Sequence, residues 1–411
     1  MFGKQSSIVC NMRLYPLFVL ATLSLLFSCK SETDNGVIRL DGSCDENFLE
    51  SWEYIILEDD NPDALLGFVD QEIRYDDGLF FISSEANNNS SIKVFDRTGH
   101  YRNIICRTGR AGNECLSLNS WTLDTYNNQV VVAISNGYGA SVSIKRFDYQ
   151  GNYLGQMETD TLGADCILGN IVKCTADGTL LIEDNKIHGS PSHEYFNIHK
   201  DGSISTLLEL SEYHTNGVGV DPTSFFQTGI LKPDYELGHT TIMLATSNPY
   251  SDTSYVTRKF DNGIYRICGD KAELITRLPF IPEAPQDMRK SVKLEQSVDY
   301  DPYQVWYFKD MKDYVYLKYG DGEYMFEKAT STIYKMPFDS INAICPYHAH
   351  GSAYGNDIIS VIDDYGIKSG IERMEREDHD QRYGVAIKEF FKRTQGRSNP
   401  VIVIAHYKDV Q

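Results

Sequence analysis

The stretch SIKVFDRTG at residues 91–99 returns as SIKRFDYQG at residues 143–151. In both, β-branched and aromatic residues alternate with polar ones, the period-2 signal of a half-buried strand. In both the alternation stops at Asp-x-x-Gly, and another run of strand-forming residues follows. A strand, a polar turn carrying Asp and Gly, and a second strand make a hairpin. Residues 195–202 (YFNIHKDG) repeat the pattern loosely, and residues 263–270 and 324–331 more loosely still. Gly99, Gly151 and Gly202 stand 52 and 51 residues apart.

Upstream of each hairpin lies a further strand-like run: 78–82, 129–134, 178–182, 240–244 and 314–318, with a sixth at 357–362. A self-similar unit of about 50 residues carrying four strands is the signature of a β-propeller blade. Six such units fit between residues 60 and 411, so the expected fold class is all-β, a six-bladed β-propeller of four-stranded blades. The sixth unit runs out of chain after Pro400–Ala405, before a fourth strand. The N-terminal run Trp52–Leu57 lacks partners of its own, and the pattern predicts that it closes the last blade, leaving no open edge. Between the strands of that blade, Ser369–Thr394 loses the alternation. Ile371, Met374, Val385, Ile387, Phe390 and Phe391 predict one or two amphipathic helices there, with the charge run Glu375–Asp380 on a solvated face.

The run Leu14–Phe27 (LYPLFVLATLSLLF) is apolar and uncharged and follows Arg13. It is shorter than the roughly 20 residues of a membrane-spanning helix and reads as the core of an export leader. Leu26-Phe27-Ser28-Cys29 then resembles the lipobox of bacterial lipoproteins, which implies that Cys29 is lipidated and becomes the first mature residue. Met12 opens a compact leader of this type and is a second candidate start. Residues 1–28 are therefore read as a signal peptide, 29–48 as lipidated cysteine and tether, and 49–411 as the propeller. Lys30 follows the cysteine in place of the aspartate associated with inner-membrane retention, and Glu32 and Asp34 resemble the acidic export signal of some outer-membrane lipoproteins. The expected location is the cell envelope, with attachment to the outer membrane through the lipid.

The chain carries a formal charge of −20, and the leader holds Lys4 and Arg13 but no acid, so the remainder is more acidic still. This excludes nucleic-acid binding through a basic face. Cysteines at 44, 106, 115, 166, 174, 268 and 345 follow Cys29, an odd set that cannot pair completely within one chain. Several sit in apolar runs, as at 103–106 and 265–268, and suit buried thiols. A Cys106–Cys115 bridge is the alternative for that pair, given an oxidising export route.

The stretch Gly109–Cys115 (GRAGNEC) raises the question of a phosphate cradle. It matches neither the P-loop nor the dinucleotide fingerprint, and no helix follows it. It reads as a bend returning the chain from one blade to the next. Here the chain resembles the six-bladed β-propeller lipoprotein family, related to NHL-type and TolB-like propellers and known largely as a domain of unknown function. That family links its first two blades through Gly-x-Gly-Pro-Gly-Glu-aromatic. Gly109, Arg110 and Glu114 match it, whereas Ala111, Gly112, Asn113 and Cys115 depart. Ile56-Leu57-Glu58, the Phe-Asp-x-x-Gly hairpins and Ser398–Ile404 complete a resemblance that covers residues 50–411.

No motif nominates a catalytic set or a cofactor, and none is expected. There is no nucleophile elbow and no calcium loop. His348 and His350 lack a third ligand nearby, and His188, His193 and His199 are separated by Gly189 and Pro191, so no metal site is expected. The paired acids Asp59-Asp60, Asp76-Asp77 and Asp363-Asp364 read as turn residues. Tyr250, Tyr255, Tyr303, Trp306 and Tyr307 fall in or near longer inserts and read as packing residues, with sugar stacking as the sharper alternative. The resemblance implies a non-catalytic binding module for a protein, peptide or glycan. The alternative is a carbohydrate-active hydrolase or lyase with acids around the central channel. A cluster of acids and aromatics at the channel mouth would favour the enzyme.

Overall fold

A computed structural model of the chain describes residues 37–41, 48–86, 89–115, 118, 120–135, 141–160, 170–183, 193–209, 246–258, 262–281, 305–319, 322–336, 351–376, 390 and 392–410. The leader, Cys29, Cys44, Cys166, Cys345, His188, His348, His350, Tyr303 and the predicted strand at 240–244 lie outside these residues.

The chain starts with β1 (Val37–Asp41) and β2 (Leu49–Ile56). Blade 1 follows as β3 (Phe68–Asp76), β4 (Leu79–Ala86), β5 (Asn89–Asp96) and β6 (Tyr101–Arg107). Blade 2 is β7 (Trp121–Asp124), β8 (Gln129–Ser135), β9 (Val142–Asp148) and β10 (Tyr153–Glu158). Blade 3 is β11 (Asn170–Cys174), β12 (Leu180–Glu183), β13 (His193–Ile198) and β14 (Ile204–Glu209). In blade 4 the short β15 (Thr246–Ser247) precedes β16 (Thr253–Thr257), β17 (Gly263–Cys268) and β18 (Lys271–Arg277). Blade 5 is β19 (Val305–Asp310), β20 (Tyr314–Tyr319), β21 (Gly322–Glu327) and β22 (Thr332–Met336). Blade 6 holds β23 (Ser352–Tyr354), β24 (Asp357–Ile362), helix α1 (Asp364–Arg376) and β25 (Val401–Tyr407). The fold is the expected six-bladed, all-β propeller. In blade 4 β16 pairs with β17, while β15 lies parallel to β19 of the next blade.

Burial explains why the strands differ in sequence. β7, β11 and β12 are buried along their whole length, because neighbouring blades cover both faces near the axis. β10, β18 and β22 lie at the rim and are largely exposed. Strand alternation then sends side chains into two different cores. Val130, Val132 and Ile134 of β8 pack with Phe81, Ile92 and Val94 of blade 1, whereas Val131 and Ala133 pack with Ile171, Leu180 and Ile182 of blade 3. The same division recurs at each junction, so six apolar clusters lie one between each pair of neighbouring blades. Cys268 shows the limit of reading burial from a run. It ends β17 on the outward side of the alternation and is exposed, unlike Cys106, Cys115 and Cys174.

The repeat glycines have two jobs. Asp148 Oδ1 accepts the backbone N–H groups of Gln150 at 3.1 Å and Asn152 at 2.7 Å, fixing a turn in which Gly151 has φ +89°. A Cβ on Gly151 would meet the carbonyl oxygen of Ile104 at 2.6 Å. Ile104 belongs to β6, the outer strand of the preceding blade. Gly202 stands in the same way against the Glu158 carbonyl of β10, and Gly99 against that of Ile56 in β2. In these three hairpins the glycine is thus where the turn seats on an outer strand of the blade before it.

Closure follows the sequence expectation. β2 pairs antiparallel with β25, from Leu49 opposite Tyr407 to Ile56 opposite Val401, and completes blade 6. The segment read as tether adds a strand: β1 pairs with β2, Val37 opposite Ile55, and extends that blade to five strands. The helical insert begins earlier than its apolar pattern suggested, because Asp363 caps it by accepting the Gly366 N–H at 2.7 Å. Ile367 and Ile371 of α1 reach the cluster between blades 5 and 6, together with Phe390. Gly109–Cys115 is a bend, as expected. Glu114 Oε2 accepts the Ala111 N–H at 2.9 Å, and Lys145 of β9 donates to the Gly112 carbonyl at 3.0 Å.

His406 stands at the closing seam. Its Nδ1 lies 2.9 Å from Asp357 of β24 and its Nε2 lies 3.4 Å from Glu53 of β2. Burial alone would lower its pKa, but the hydrogen bonds and charges of Asp357 and Glu53 outweigh this and raise it from 6.5 to about 9. A folded pKa above the unfolded one means stabilisation that is complete below pH 6.5 and fades as pH rises through about 9. We expect the stability advantage of the wild type over His406→Gln to shrink by on the order of 2 kcal/mol across that window. Denaturant titrations at several pH values measure it, and a gap independent of pH would refute it.

Candidate binding site at the channel mouth

The first strand of each blade lines the axis. Three of these strands end in a buried aspartate just before the turn to the second strand: Asp76 on β3, Asp124 on β7 and Asp310 on β19. A buried carboxylate must be matched by donors or positive charge, and all three are. Asp76 accepts the hydroxyl of Tyr149 at 2.6 Å and that of Tyr250. Asp124 pairs with Arg146 at 3.0 Å and accepts the Asn127 side-chain amide at 3.0 Å. Asp310 pairs with Lys328 at 2.6 Å and accepts the Ser247 hydroxyl, also at 2.6 Å, and the Tyr255 N–H at 2.9 Å.

Several contacts here cross blade boundaries. Asp76 of blade 1 is gripped from blades 2 and 4. Arg146 of blade 2 also donates to the Gly178 carbonyl of blade 3 at 3.3 Å. Lys173 of β11 donates to the carbonyls of Ser251 and Thr253, joining blade 3 to blade 4. Its desolvation outweighs the pull of Asp310 and lowers its pKa to about 8. Burial, and then the Asp124 charge, push the Cys174 thiol up to about 12, so it stays protonated. Tyr149 and Tyr250 are raised above the ordinary tyrosine value, first by burial and then by their hydrogen bonds to Asp76, which keeps both as donors.

Inside the mouth the described side chains leave little open space. A cavity of about 20 Å³ remains between Arg74, Tyr75, Lys173, Cys174, Ser352 and Tyr354, room for about one water molecule. Rings lead from it to the surface: Tyr75 meets Tyr354 edge-on at 4.8 Å, and Tyr354 meets Tyr250 at 5.7 Å. Tyr250 is 48% exposed and Tyr126, in the β7–β8 turn, 40%. The site thus offers two exposed aromatic faces close to this small cavity.

The sequence singled out Tyr250, and it is at the mouth. Tyr255 instead packs on Phe326 and under the Lys328 ammonium, and Tyr307 is half-buried against the cluster between blades 5 and 6, as packing residues. Trp306 lies in β19. Asp59 is a turn residue held by Arg397, and Asp363 caps α1, but Asp76 is more than a turn residue: it is the hub of the mouth. Asp124, Arg146, Lys173 and Asp310 were not anticipated. A faint signal existed, an acid closing the first strand in three of the six units. Among the described residues no three His, Cys, Asp or Glu side chains are grouped so that they could hold a metal ion, and no helix is long and apolar enough to cross a membrane.

Among curated proteins none matches the chain. Its fold is similar to that of a protein described as exported from Bacteroides fragilis NCTC 9343, at 14% identity and a TM-score of 0.60, over 87% of this chain and 95% of that one. A weaker likeness, 11% identity and a TM-score of 0.37, links 74% of this chain to 34% of the extracellular domain of a protein described as a one-component system from B. thetaiotaomicron. The family model described as a domain of unknown function (DUF4934) matches residues 37–406, and the chain belongs to that family.

Proposed function

We propose that the protein is a non-catalytic binding module of the cell envelope, held at the outer membrane by a lipid on Cys29, and that it engages a protein, peptide or glycan partner across the channel mouth. The engagement of Asp76, Asp124 and Asp310 carries this reading. An acid–base catalyst needs a carboxyl group free to exchange a proton with substrate, and these three are committed to tyrosine, serine, arginine and lysine donors. Tyr126 and Tyr250, exposed above them, supply rigid aromatic area of the kind that dominates binding surfaces. The leader and the cysteine after it support the location.

The test is to purify the C-terminally tagged protein from gently solubilised membranes beside a Tyr126→Ala/Tyr250→Ala variant. A stoichiometric partner or glycan that comes with the wild type and is lost, by about tenfold or more, from the variant is the expected result. Recovery of both proteins alone would overturn the reading. Replacement of Cys29 by Ala should move the protein out of the membrane fraction. The convergence of acids and aromatics at the mouth favours one rival, a glycan hydrolase or lyase. Cleavage of a glycan panel by the wild type, abolished by Asp76→Asn, would establish it instead.

A further inference from the structure

Cys106 closes the inward side of β6, and Cys115 closes the bend that follows. Both are buried, and their sulfurs stand 2.7 Å apart. The backbone between them is already clamped: the Cys115 N–H donates to the Arg107 carbonyl at 3.1 Å and the Gly109 N–H to the Cys115 carbonyl at 2.8 Å. Thr108 and Cys115 form a β-bridge. The two thiols are therefore held side by side by main-chain contacts that do not depend on a bond between them. Cys174 has no described cysteine beside it, and Cys268 is exposed at the rim.

We propose that Cys106 and Cys115 are oxidised to a disulfide that locks the bend between blades 1 and 2. The oxidant is a protein disulfide of an exported dithiol oxidase, so this step in the cell rests on the envelope location above. One cysteine, as thiolate, attacks a sulfur of that disulfide and releases one thiol from it. The second cysteine, after losing its proton, displaces the mixed disulfide and releases the other. Two S–H bonds are lost and one S–S bond forms, and two electrons pass to the oxidant, which leaves as a dithiol. In the folded protein the hydrogen bond from Cys106 lowers the pKa of Cys115, whereas Cys106 is raised, first by that same contact and then by burial. Lys145, donating to the Gly112 and Glu114 carbonyls, brings a positive charge beside the pair.

The position also fixes when the reaction occurs. In the finished fold both sulfurs lie within the cluster of Phe81, Ile92, Trp121 and Phe147 and are out of reach of a protein oxidant. The bond forms before blade 2 settles on blade 1, and once formed it resists reductants that do not unfold the chain.

The experiment is to denature the protein isolated from the envelope in iodoacetamide without reductant, then digest it and analyse it by mass spectrometry. In parallel, the purified full chain is refolded in a mixture of oxidised and reduced glutathione. A linked Cys106–Cys115 peptide, about 2 Da lighter than its reduced parts, is expected in both samples, untouched by dithiothreitol unless denaturant is added. Alkylation of both cysteines in the refolded protein overturns the proposal. A linked peptide in the refolded protein but not in the cellular one upholds the pair and overturns the envelope location instead. Cys106→Ser should lower Tm by about 2–5 °C relative to the disulfide-bonded wild type, and by less relative to wild type reduced in denaturant and refolded in reductant.

Discussion

Deleting residues 49–58 is expected to abolish the cooperative unfolding transition of the native protein. The deletion removes β2, whose Trp52, Tyr54 and Ile55 are fully buried, and with it the neighbouring Leu57. It also strips β25 of its outer partner and leaves an open sheet edge, a template for aggregation. Two of the six interblade clusters lose members at once: Trp52 and Tyr54 belong to the one between blades 5 and 6, Ile55 and Leu57 to the one between blades 6 and 1. Each large buried side chain is worth about 2–5 kcal/mol, and the sum exceeds the 5–15 kcal/mol that holds a typical domain together. A graded version avoids an unfolded product: Trp52→Ala alone should cost about 3–5 kcal/mol in a urea titration. A deletion variant that melts like the wild type would show that the ring does not depend on this closure.

Replacing Gly151 by Ala should cost about 3 kcal/mol or more, far above the usual price of a methyl group on a surface turn. The first part is backbone strain, since at φ +89° any L side chain is disfavoured by about 1–2 kcal/mol. The second part is collision with the Ile104 carbonyl, which belongs to a hydrogen-bonded strand and cannot swing away as a side chain would. Gly78 separates the two. It too has a positive φ, +76°, in a hairpin turn, but an added Cβ meets nothing within 4 Å. Gly78→Ala should therefore carry the strain alone. Equal losses in the two variants, measured by chemical denaturation, would refute the claim that the repeat glycine seats one blade on the next.

Much of this architecture was legible because propeller strands are local objects. The hairpin SIKVFDRTG announces its own turn through Asp96, whose carboxylate accepts the Thr98 and His100 N–H groups. That chemistry is complete within five residues, so its recurrence counted the blades. Closure was legible too, because a lone apolar strand at one end and a blade one strand short at the other have one economical solution. The start of α1 was misjudged because an apolar period marks a buried face, whereas the helix begins where Asp363 satisfies its free N–H groups. Cys268 was misjudged because an apolar run does not say which face its last residue takes.

The mouth was not legible, for the same physical reason in reverse. Tyr250 reaches Asp76 across 174 positions, and Lys309 and Asp310 reach Thr246 and Ser247 across a parallel pairing between blades. Nothing local in Tyr75-Asp76-Asp77-Gly78 distinguishes a hub from an ordinary turn acid. By itself the sequence determined the number of blades and the closing strand, since each rests on short-range pattern. Only the tertiary structure decided how Asp76, Asp124 and Asp310 are engaged, the first and last of them by partners on other blades, and that Cys106 meets Cys115. The Asp76 and Asp310 contacts join side chains from blades far apart in sequence, and the energy of all these contacts depends on burial that no single segment possesses alone.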